Sequence, residues 1–233
     1  MEDSGRRGSG VDGRAARWAG HREKRRAAMV AAALSAIAEH GPWASTEQIA
    51  DRAGVSRPQL YRHFADADDL HDAVSHRVAE VFAAAITPEL ARPSGSAREI
   101  ITRIVGTFVS WMADNLALYD YMVVRAVGPA PGRRGKAADL RVQIAERVRE
   151  LLTAYTELLG VDQRPVDSMA FGVAGMVESA TVRWLTAPGE LDREQLVQRL
   201  TSAVWALLDD VLKDAGIELD PDFPLPELPY QPD

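Results

Sequence analysis

The chain has 233 residues, of which 46% are hydrophobic and 26% are charged, and its net charge at pH 7 is −7. This composition is ordinary for a globular protein, and the length allows one large core or a small module joined to a larger one. The sequence contains no cysteine, which excludes disulfides, zinc–thiolate sites and cysteine nucleophiles. It shows no secretory signal pattern and no run of about 18 consecutive apolar residues, so we expect a cytoplasmic protein that does not enter a membrane.

The charge is unevenly distributed along the chain. Residues 1–66 contain 11 Lys and Arg against 8 Asp and Glu, a net charge of +3, whereas residues 67–233 contain 16 against 26, a net charge of −10. We therefore expect the N-terminal part to meet any polyanion, unless the small positive excess is a chance fluctuation.

The two ends differ from the rest of the chain in composition. Residues 1–20 are rich in Gly, Ser and Arg, which predicts a disordered basic arm. Residues 218–233 form an acidic, proline-rich tail that cannot be helical. Between them nearly every segment has the helical period, and no run alternates as a strand would, so the sequence predicts an all-α fold.

The predicted helices fall into a short group and a long group. The first runs from about Arg22 to His40, and the second and third follow the Ser-x-x-Gln capping patterns at Ser45 and Ser56, the third ending near Phe64. Asp66 is expected to cap a fourth helix, which Pro88 ends. Five more are predicted at about 97–115, 118–127, 140–160, 165–186 and 193–216. We therefore expect a three-helix domain over residues 21–66 and a domain of about six helices over residues 67–217.

The segment from Ser45 to Phe64, STEQIADRAGVSRPQLYRHF, has the pattern of a helix-turn-helix. Gly54 permits the positive φ that a tight turn between two helices needs. The exposed side of the second helix is predicted to carry hydrogen-bond donors and an aromatic ring without any carboxylate, as insertion into a DNA major groove requires. The alternative is an ordinary amphipathic helix of a bundle.

The stretch from about Arg22 to Val74 resembles the DNA-binding domain of the TetR family of bacterial repressors. The matching motifs are Ile49-Ala50, Ala53-Gly54-Val55-Ser56, Leu60-Tyr61 and His63-Phe64. The resemblance implies a recognition helix whose residues at 57, 58 and 59 reach base edges, while those at 61 and 63 contact phosphates. Arginine suits guanine, glutamine suits adenine, and hydroxyls at a helix start suit a phosphate. The predicted DNA-binding residues are Ser45, Thr46, Arg57, Pro58, Gln59, Tyr61, Arg62 and His63.

One position departs from the family pattern. Family members often carry a phosphate-binding lysine at the start of the fourth helix, where this chain has Ala67 among aspartates (Ala65-Asp66-Ala67-Asp68-Asp69). We expect the arginines of the N-terminal arm to compensate by ordering on the duplex, unless the arm is only a solvated leader. These arginines are Arg6, Arg7, Arg14 and Arg17.

The remainder resembles the family in length and helical character only. The resemblance implies a homodimer formed by the last two helices, with the alternative that these helices pack only within the chain. The predicted interface residues are Phe171, Gly172, Gly175, Leu196, Leu200, Val204, Leu207 and Val211. It also implies a pocket for a small-molecule effector, with the alternative that the same residues simply fill the core. The predicted pocket residues are Phe108, Trp111, Met112, Tyr119, Tyr121, Met122, Arg125, Glu178 and Trp184.

The sequence does not favour an enzyme. His71 and His76 are five residues apart and do not share a helix face, and we find neither a glycine-rich phosphate loop nor a nucleophile arrangement. We therefore expect no catalytic residue, cofactor or metal. The favoured function is a repressor that binds a palindromic DNA operator as a dimer and is released by a small, largely apolar ligand. The alternatives are a DNA-binding protein without a ligand, which a filled core in place of a cavity at Trp111 and Tyr119 would favour, and an all-α enzyme.

Overall fold

A computed structural model describes residues 9–91, 93–126, 136–187, 189–226 and 228, and for residues 9–19, 124–126 and 136–140 it describes the backbone alone. Within these ranges the chain is helical, and the β-type contact they contain is a single isolated bridge between Ser96 and Pro224. The predicted all-α fold is confirmed.

The described ranges contain nine helices. Side chains at Ser45, Ser56, Ser96 and Asp192 cap four of them, and in each case a glutamine or glutamate three residues later completes the capping box. The helices are α1 (Ser9–His40), α2 (Thr46–Arg52), α3 (Arg57–Leu60), α4 (Ala67–Ala91), α5 (Ala97–Asp114), α6 (Leu116–Ala126), α7 (Lys136–Leu159), α8 (Val166–Thr186) and α9 (Arg193–Asp214).

Two helix boundaries differ from the prediction. Helix α1 begins at Ser9, inside the segment predicted to be disordered, because alanine and arginine between its glycines have high helix propensity. Residues 1–8, including Arg6 and Arg7, lie outside the described residues, as do the side chains of Arg14 and Arg17. Helix α4 continues through Pro88 to Ala91 instead of ending there. Pro88 and Ala84 are both exposed, so water can bond the Ala84 carbonyl that proline leaves without its helical donor.

The chain divides into two compact units, residues 1–78 and 79–233, and α4 runs from one into the other. The division was predicted at residue 66. Leu70, Val74 and Val78 in the first turns of α4 are buried, and the first compact unit ends at Val78. The buried apolar residues of this unit are Met29, Val30, Ala33, Ala36, Ile37, Ala44, Ile49, Ala50, Leu60, Phe64, Leu70, Val74 and Val78.

In the C-terminal unit α5 packs against α6, α8 and α9, and α7 packs against α6 and α8. Phe82 on α4 makes edge-to-face contacts with Phe108, with ring centroids 5.8 Å apart, and with Trp111, with centroids 4.7 Å apart. Aromatic pairs favour this arrangement because the edge of one ring is positive and the face of the other negative. These contacts fix α4 against α5 within this unit.

The acidic tail is attached to the N-terminus of α5. The backbone N–H of Arg98 donates to the Pro221 carbonyl at 2.9 Å, and that of Leu225 donates to the Gly95 carbonyl at 2.9 Å. The Arg98 guanidinium also donates to the Asp222 carboxylate at 2.7 Å. The described part of the tail is non-helical and forms a strap along one end of α5.

Candidate DNA-binding surface and ligand cavity

The turn between α2 and α3 has the geometry of a helix-turn-helix. Gly54 has a φ of +66°, a conformation that costs a residue with a Cβ about 1–2 kcal/mol. The Val55 N–H then donates to the Ala50 carbonyl at 3.0 Å and closes the turn. Ile49 and Leu60 are 2% and 0% exposed, so burial fixes the relative position of the two helices.

The recognition helix is shorter than the sequence predicted. Helix α3 ends at Leu60, and the Tyr61 N–H still bonds four residues back, to the Arg57 carbonyl (3.2 Å). The next two amides bond three residues back, from Arg62 to the Gln59 carbonyl (3.2 Å) and from His63 to the Leu60 carbonyl (2.9 Å). Such bonds belong to a tighter, 3₁₀-type turn. Arg62 and His63 therefore follow the helix on a narrower turn than α-helical spacing assumes.

The predicted base-reading residues are accessible to solvent. Arg57, Pro58, Gln59 and Arg62 are exposed, Tyr61 and His63 are half-buried, and the Arg57 guanidinium lies 5.8 Å from the centre of the Tyr61 ring. This distance is near the outer limit of a cation–π contact, so the ring favours a position of the guanidinium close to Tyr61 only weakly.

The side-chain carbonyl of Gln59 is already used within the protein. It accepts from the Ser56 backbone N–H at 2.8 Å and from the Ser56 hydroxyl at 3.1 Å. A two-bond contact with adenine would share this oxygen with the cap of α3 or take it from the cap. At the start of α2, Ser45 is exposed and Thr46 is half-buried, and the Ser45 hydroxyl accepts from the Gln48 N–H at 3.2 Å.

Arg26 on α1 holds the turn that follows α3. Its guanidinium donates to the His63 carbonyl at 2.6 Å, and to the two oxygens of Asp69 at 2.6 and 3.1 Å. It also lies 4.2 Å from the centre of the Phe64 ring. Asp69 accepts from the Ala65 N–H at 2.9 Å. We call Arg26, His63, Phe64, Ala65 and Asp69 the Arg26 latch.

The Arg26 latch has no signal in the sequence, because its partners lie on separate elements and have no common spacing. The hydrogen bond from Arg26, and then the bond from the Ala65 N–H, hold the pKa of Asp69 below its usual range. Asp66 accepts from the Asp69 N–H at 2.8 Å and caps α4. Two of the three aspartates in the acidic run therefore hold the helices next to the recognition helix.

The C-terminal unit contains an elongated apolar cavity of about 250 Å³. One face of α7 lines it from Arg141 to Tyr155, a separation of 14 residues, which is about 21 Å at 1.5 Å per residue. The remaining walls come from α4, α5, α8, α9 and the tail, which contributes Leu225. By comparison, an apolar cavity of about 150 Å³ binds benzene, so this one has room for a larger and longer apolar ligand.

A polar cluster lies at one end of this cavity. The Arg141 guanidinium donates to the Glu178 carboxylate at 2.6 Å and to the Tyr119 hydroxyl at 3.3 Å. The Tyr119 hydroxyl in turn donates to Glu178. Burial, and then the bond to Glu178, raise the pKa of Tyr119 to about 12, so the phenol stays protonated at neutral pH. Glu178 is 8% exposed and has a partner on either side, as a buried carboxylate requires.

The predicted pocket residues are divided among several places. Phe108 and Glu178 line the large cavity. The same two residues, with Trp111, Met112 and Tyr119, also line a second cavity of about 10 Å³, which has room for about one water molecule.

The other predicted pocket residues lie elsewhere. Tyr121 and Met122 are buried, 3% and 1% exposed, and belong to the lining of neither cavity. Trp184 is half-buried, and its indole N–H donates to the Leu191 carbonyl at 2.8 Å. The side chain of Arg125 lies outside the described residues. Sequence reasoning missed Arg141 as a lining residue, although it begins the α7 face that Ile144 and Val148 continue.

The predicted interface residues also separate into two sets. Leu196, Leu200 and Val204 are 5–6% exposed within the single chain, so most of their surface already packs against this chain's own residues. Phe171 and Leu207 are 39% and 46% exposed. A Cβ added at Gly172 or Gly175 would meet open space, and Val211 is half-buried.

In the described part of the chain, no group of three or more His, Asp or Glu residues is placed to hold a metal ion. None of the described helices is both long and apolar enough to cross a membrane.

Comparison with known proteins agrees with this geometry. Residues 29–74 match the family of bacterial regulatory proteins, tetR family. The chain is 27% identical, over 88% of its length and 86% of the relative, to the uncharacterised HTH-type transcriptional regulator Rv0472c of Mycobacterium tuberculosis (strain H37Rv). It is 23% identical, over 82% and 85%, to the HTH-type transcriptional activator FasR of Mycolicibacterium smegmatis. The crystal structure of FadR from Bacillus subtilis in complex with stearoyl-CoA shares the fold, with a TM-score of 0.57 and 20% identity over 82% of this chain and 98% of that one.

The fold and the helix-turn-helix define a DNA-binding transcriptional regulator with a helical C-terminal domain. Residues 29–74 are similar to the DNA-binding domain of the TetR family, and the chain shares the fold of a tetR-family transcriptional regulator from Streptomyces coelicolor, with a TM-score of 0.66 and 21% identity over 82% of this chain and 83% of that one.

Proposed function

We propose that this TetR-family regulator is a cytoplasmic repressor that binds a palindromic operator as a homodimer and is released from it by a long-chain, largely apolar ligand. The observation that carries the proposal is the elongated cavity of about 250 Å³ in the C-terminal unit. An unfilled cavity costs packing energy, which a bound ligand would restore, and the lining of this one extends about 21 Å along α7.

The DNA-binding half of the proposal depends on the exposed donors of α3. A helix of this length reads only a few base pairs, so specific binding requires two copies on a two-fold operator. Exposed apolar side chains at Phe171 and Leu207, beside the open surface at Gly172, supply a face on α8 and α9 for a second copy. Sequence preference would come mainly from Arg57, whose guanidinium is exposed and can bind a guanine edge with two hydrogen bonds.

The ligand half of the proposal depends on the shape and lining of the cavity. Zigzag carbon chains with bonds of about 1.5 Å advance by about 1.3 Å per bond, so about sixteen carbons span 21 Å. The structure of FadR that shares this fold contains stearoyl-CoA, a thioester of a chain of that class. A fatty acyl ligand is therefore the class we propose for this chain.

Helix α4 supplies a route from ligand to DNA. Ile86 and Leu90 line the cavity, and the same helix starts at Ala67 in the DNA-binding unit, where Asp66 caps it and Asp69 joins the Arg26 latch. A ligand that moves the C-terminal half of α4 would change the populations of the states that fit the operator. Release from DNA then follows from the difference in ligand affinity between those states.

The test is a fluorescence-anisotropy titration on the DNA flanking the gene. Wild type should bind this DNA in preference to random DNA at moderate salt, and the Arg57→Ala, Gln59→Ala double variant should lose about tenfold or more of that preference. Arg147→Ala, which removes an exposed ion pair on α7, is the matched control and should bind as wild type does. Equal binding by all three proteins would refute the assignment of the recognition helix.

Adding stearoyl-CoA tests the ligand separately. We expect it to dissociate wild type from the operator, while a short acyl-CoA such as acetyl-CoA does not. A reporter gene behind the operator then distinguishes repression from activation, which matters because the relative FasR is named an activator. Higher reporter output after deletion of the regulator supports repression, and lower output would establish activation instead.

A further inference from the structure

One wall of the apolar cavity is not helical. The lining residues that the structure describes lie on α4, α5, α7, α8 and α9, with the single exception of Leu225 in the acidic tail. Leu225 is half-buried, and its side chain contains only carbon and hydrogen, so that side chain contacts a ligand through an apolar surface. A segment without regular secondary structure thus completes the wall of a cavity that helices otherwise line.

Leu225 lies where the helical walls stop. Helix α5 lines the cavity from its first residue, Ala97, to Phe108, and α4 lines it as far as Leu90, one residue before that helix ends. The N–H of Leu225 donates to the carbonyl of Gly95, in the connection between these two helices, at 2.9 Å. Phe108 lies about 16 Å from Ala97 along α5, and it also lines the second cavity beside the polar cluster. Leu225 is therefore at the end of the cavity opposite the polar cluster.

The tail holds Leu225 in place at this end. The backbone bonds that attach the tail to the start of α5 include the one that Leu225 itself donates, and the ion pair of Asp222 with Arg98 lies three residues earlier. Leu225 also stands between Pro224 and Pro226. Each proline fixes its own φ, and a residue before proline is restricted to extended conformations. The backbone at Leu225 therefore has few alternative conformations, and a longer chain would meet a stiff wall.

We propose that Leu225 is the end wall that limits the length of the ligand chain. The inference rests on the proposed function, because it assumes that the cavity holds an acyl chain. The chain then lies with its methyl end against Leu225 and its polar head group at the end where Arg141 is 56% exposed to solvent. This orientation matches the chemistry of both ends, because an apolar methyl group meets a carbon side chain and a polar head group stays in water.

The experiment measures dissociation constants of the full-length protein for saturated acyl-CoAs of twelve, fourteen, sixteen, eighteen and twenty carbons, by displacement of a fluorescent fatty acid. Two variants change the proposed end wall in opposite directions. Leu225→Ala removes about 2.5 Å of side chain, which is the length of about two chain carbons, and Leu225→Phe makes the side chain longer. The matched control is Phe223→Ala, which removes an apolar side chain of the same tail that is 66% exposed and is outside the lining.

Wild type should bind a chain of about sixteen carbons most tightly, as the length of the cavity indicates. Leu225→Ala should move this optimum to about eighteen carbons, and Leu225→Phe should move it to about fourteen. Because each buried CH₂ group changes affinity about fourfold, the ratio of the dissociation constants for the sixteen- and eighteen-carbon chains should change about tenfold in Leu225→Ala. Phe223→Ala should keep the wild-type optimum.

Three results would overturn the inference. An optimum that is the same in wild type and in both Leu225 variants, with normal binding by wild type, refutes the role of Leu225 and leaves the proposed function intact. Equal weakening at every chain length also refutes it, because a general loss of stability weakens all chains alike and does not move the optimum in two directions. Failure of wild type to bind any of the acyl-CoAs refutes the proposed ligand class, and this inference with it.

Discussion

The Arg26 latch offers the sharpest test of how the recognition helix is held. Replacing Arg26 by alanine removes the ion pair with Asp69, the bond to the His63 carbonyl and the contact with the Phe64 ring. The side chains of the pair are 27% and 34% exposed, so solvent screening keeps the ion pair near 1 kcal/mol. The charged bond to the carbonyl adds about 1.5 kcal/mol and the cation–π contact about 0.5 kcal/mol. Arg26→Ala should therefore cost about 2–3 kcal/mol, since the parts are not fully additive.

The assay is amide hydrogen exchange, followed by mass spectrometry on peptides that cover residues 61–70. A loss of about 2–3 kcal/mol corresponds to exchange about 30- to 150-fold faster in this segment. Asp69→Ala should accelerate it less, and the double variant should show a coupling of about 1 kcal/mol between the two side chains. The control is Glu39→Ala, which removes an ion pair with Arg52 whose side chains are more than half exposed and should cost under about 0.5 kcal/mol.

The same latch predicts a pH dependence. The pKa of Asp69 in the folded protein lies below its ordinary value of 3.8. The stability that the ionised carboxylate contributes is therefore fully present above pH 3.8 and is lost as the pH falls through the pKa of the folded state. The difference in stability between wild type and Asp69→Asn should therefore be largest at neutral pH and shrink below about pH 4. A difference that is unchanged at low pH, or a coupling near zero, would refute this account of the latch.

Three further predictions concern other parts of the chain. The pKa of Tyr119 is raised to about 12, so wild type should lose stability between pH 10 and 12 more steeply than Tyr119→Phe, as followed by circular dichroism. Leu225→Ala should weaken binding of hexadecanoic acid because it removes a wall of the cavity, whereas Phe223→Ala, at a side chain 66% exposed, should not. Gly54→Ala should cost about 1–2 kcal/mol and lower operator affinity because of the positive φ, whereas Gly20→Ala, in helix α1 and facing open space, should leave the melting temperature unchanged or raise it.

Local chemistry explains why much of the fold is predictable from the sequence. The capping residues Ser45 and Ser56 begin α2 and α3 as expected, because a cap and its glutamine lie within four residues. Gly54 similarly marks the turn by itself. The length of α3, in contrast, is not determined by residues close to it in sequence. The residue types at 61–63 are compatible with an α-helical turn and with a 3₁₀ turn. The Arg26 latch holds the turn that the chain adopts, and Arg26 itself is far away in sequence.

The cavity is harder to predict, because the hydropathy of a residue indicates that it is buried but not whether it lines a cavity. Tyr121 and Met122 are as apolar and as buried as any lining residue, yet they fill the core, while Arg141 lines the cavity through its pairing with Glu178. Which of the buried residues face the cavity depends on the packing of five helices and the tail. The attachment of the tail through Asp222 and Leu225 has no periodic pattern, and so nothing in the sequence predicts it.

The acidic run after the recognition helix is compatible with DNA binding once its contacts are known. The Asp69 carboxylate is neutralised by Arg26 at 2.6 Å, and the Asp66 carboxylate caps α4, whose N-terminal dipole favours a negative charge. Each carboxylate therefore interacts with a protein group only a few ångströms away. Its repulsion of a more distant DNA phosphate is screened more strongly by salt. Asp66 and Asp69 hold the turn that follows α3, and we expect this support to replace the phosphate contact that a lysine at position 67 would supply. Affinity for DNA would then depend more on the fixed geometry of Arg57 and Tyr61 and less on the number of phosphate contacts, which gives a shallow salt dependence.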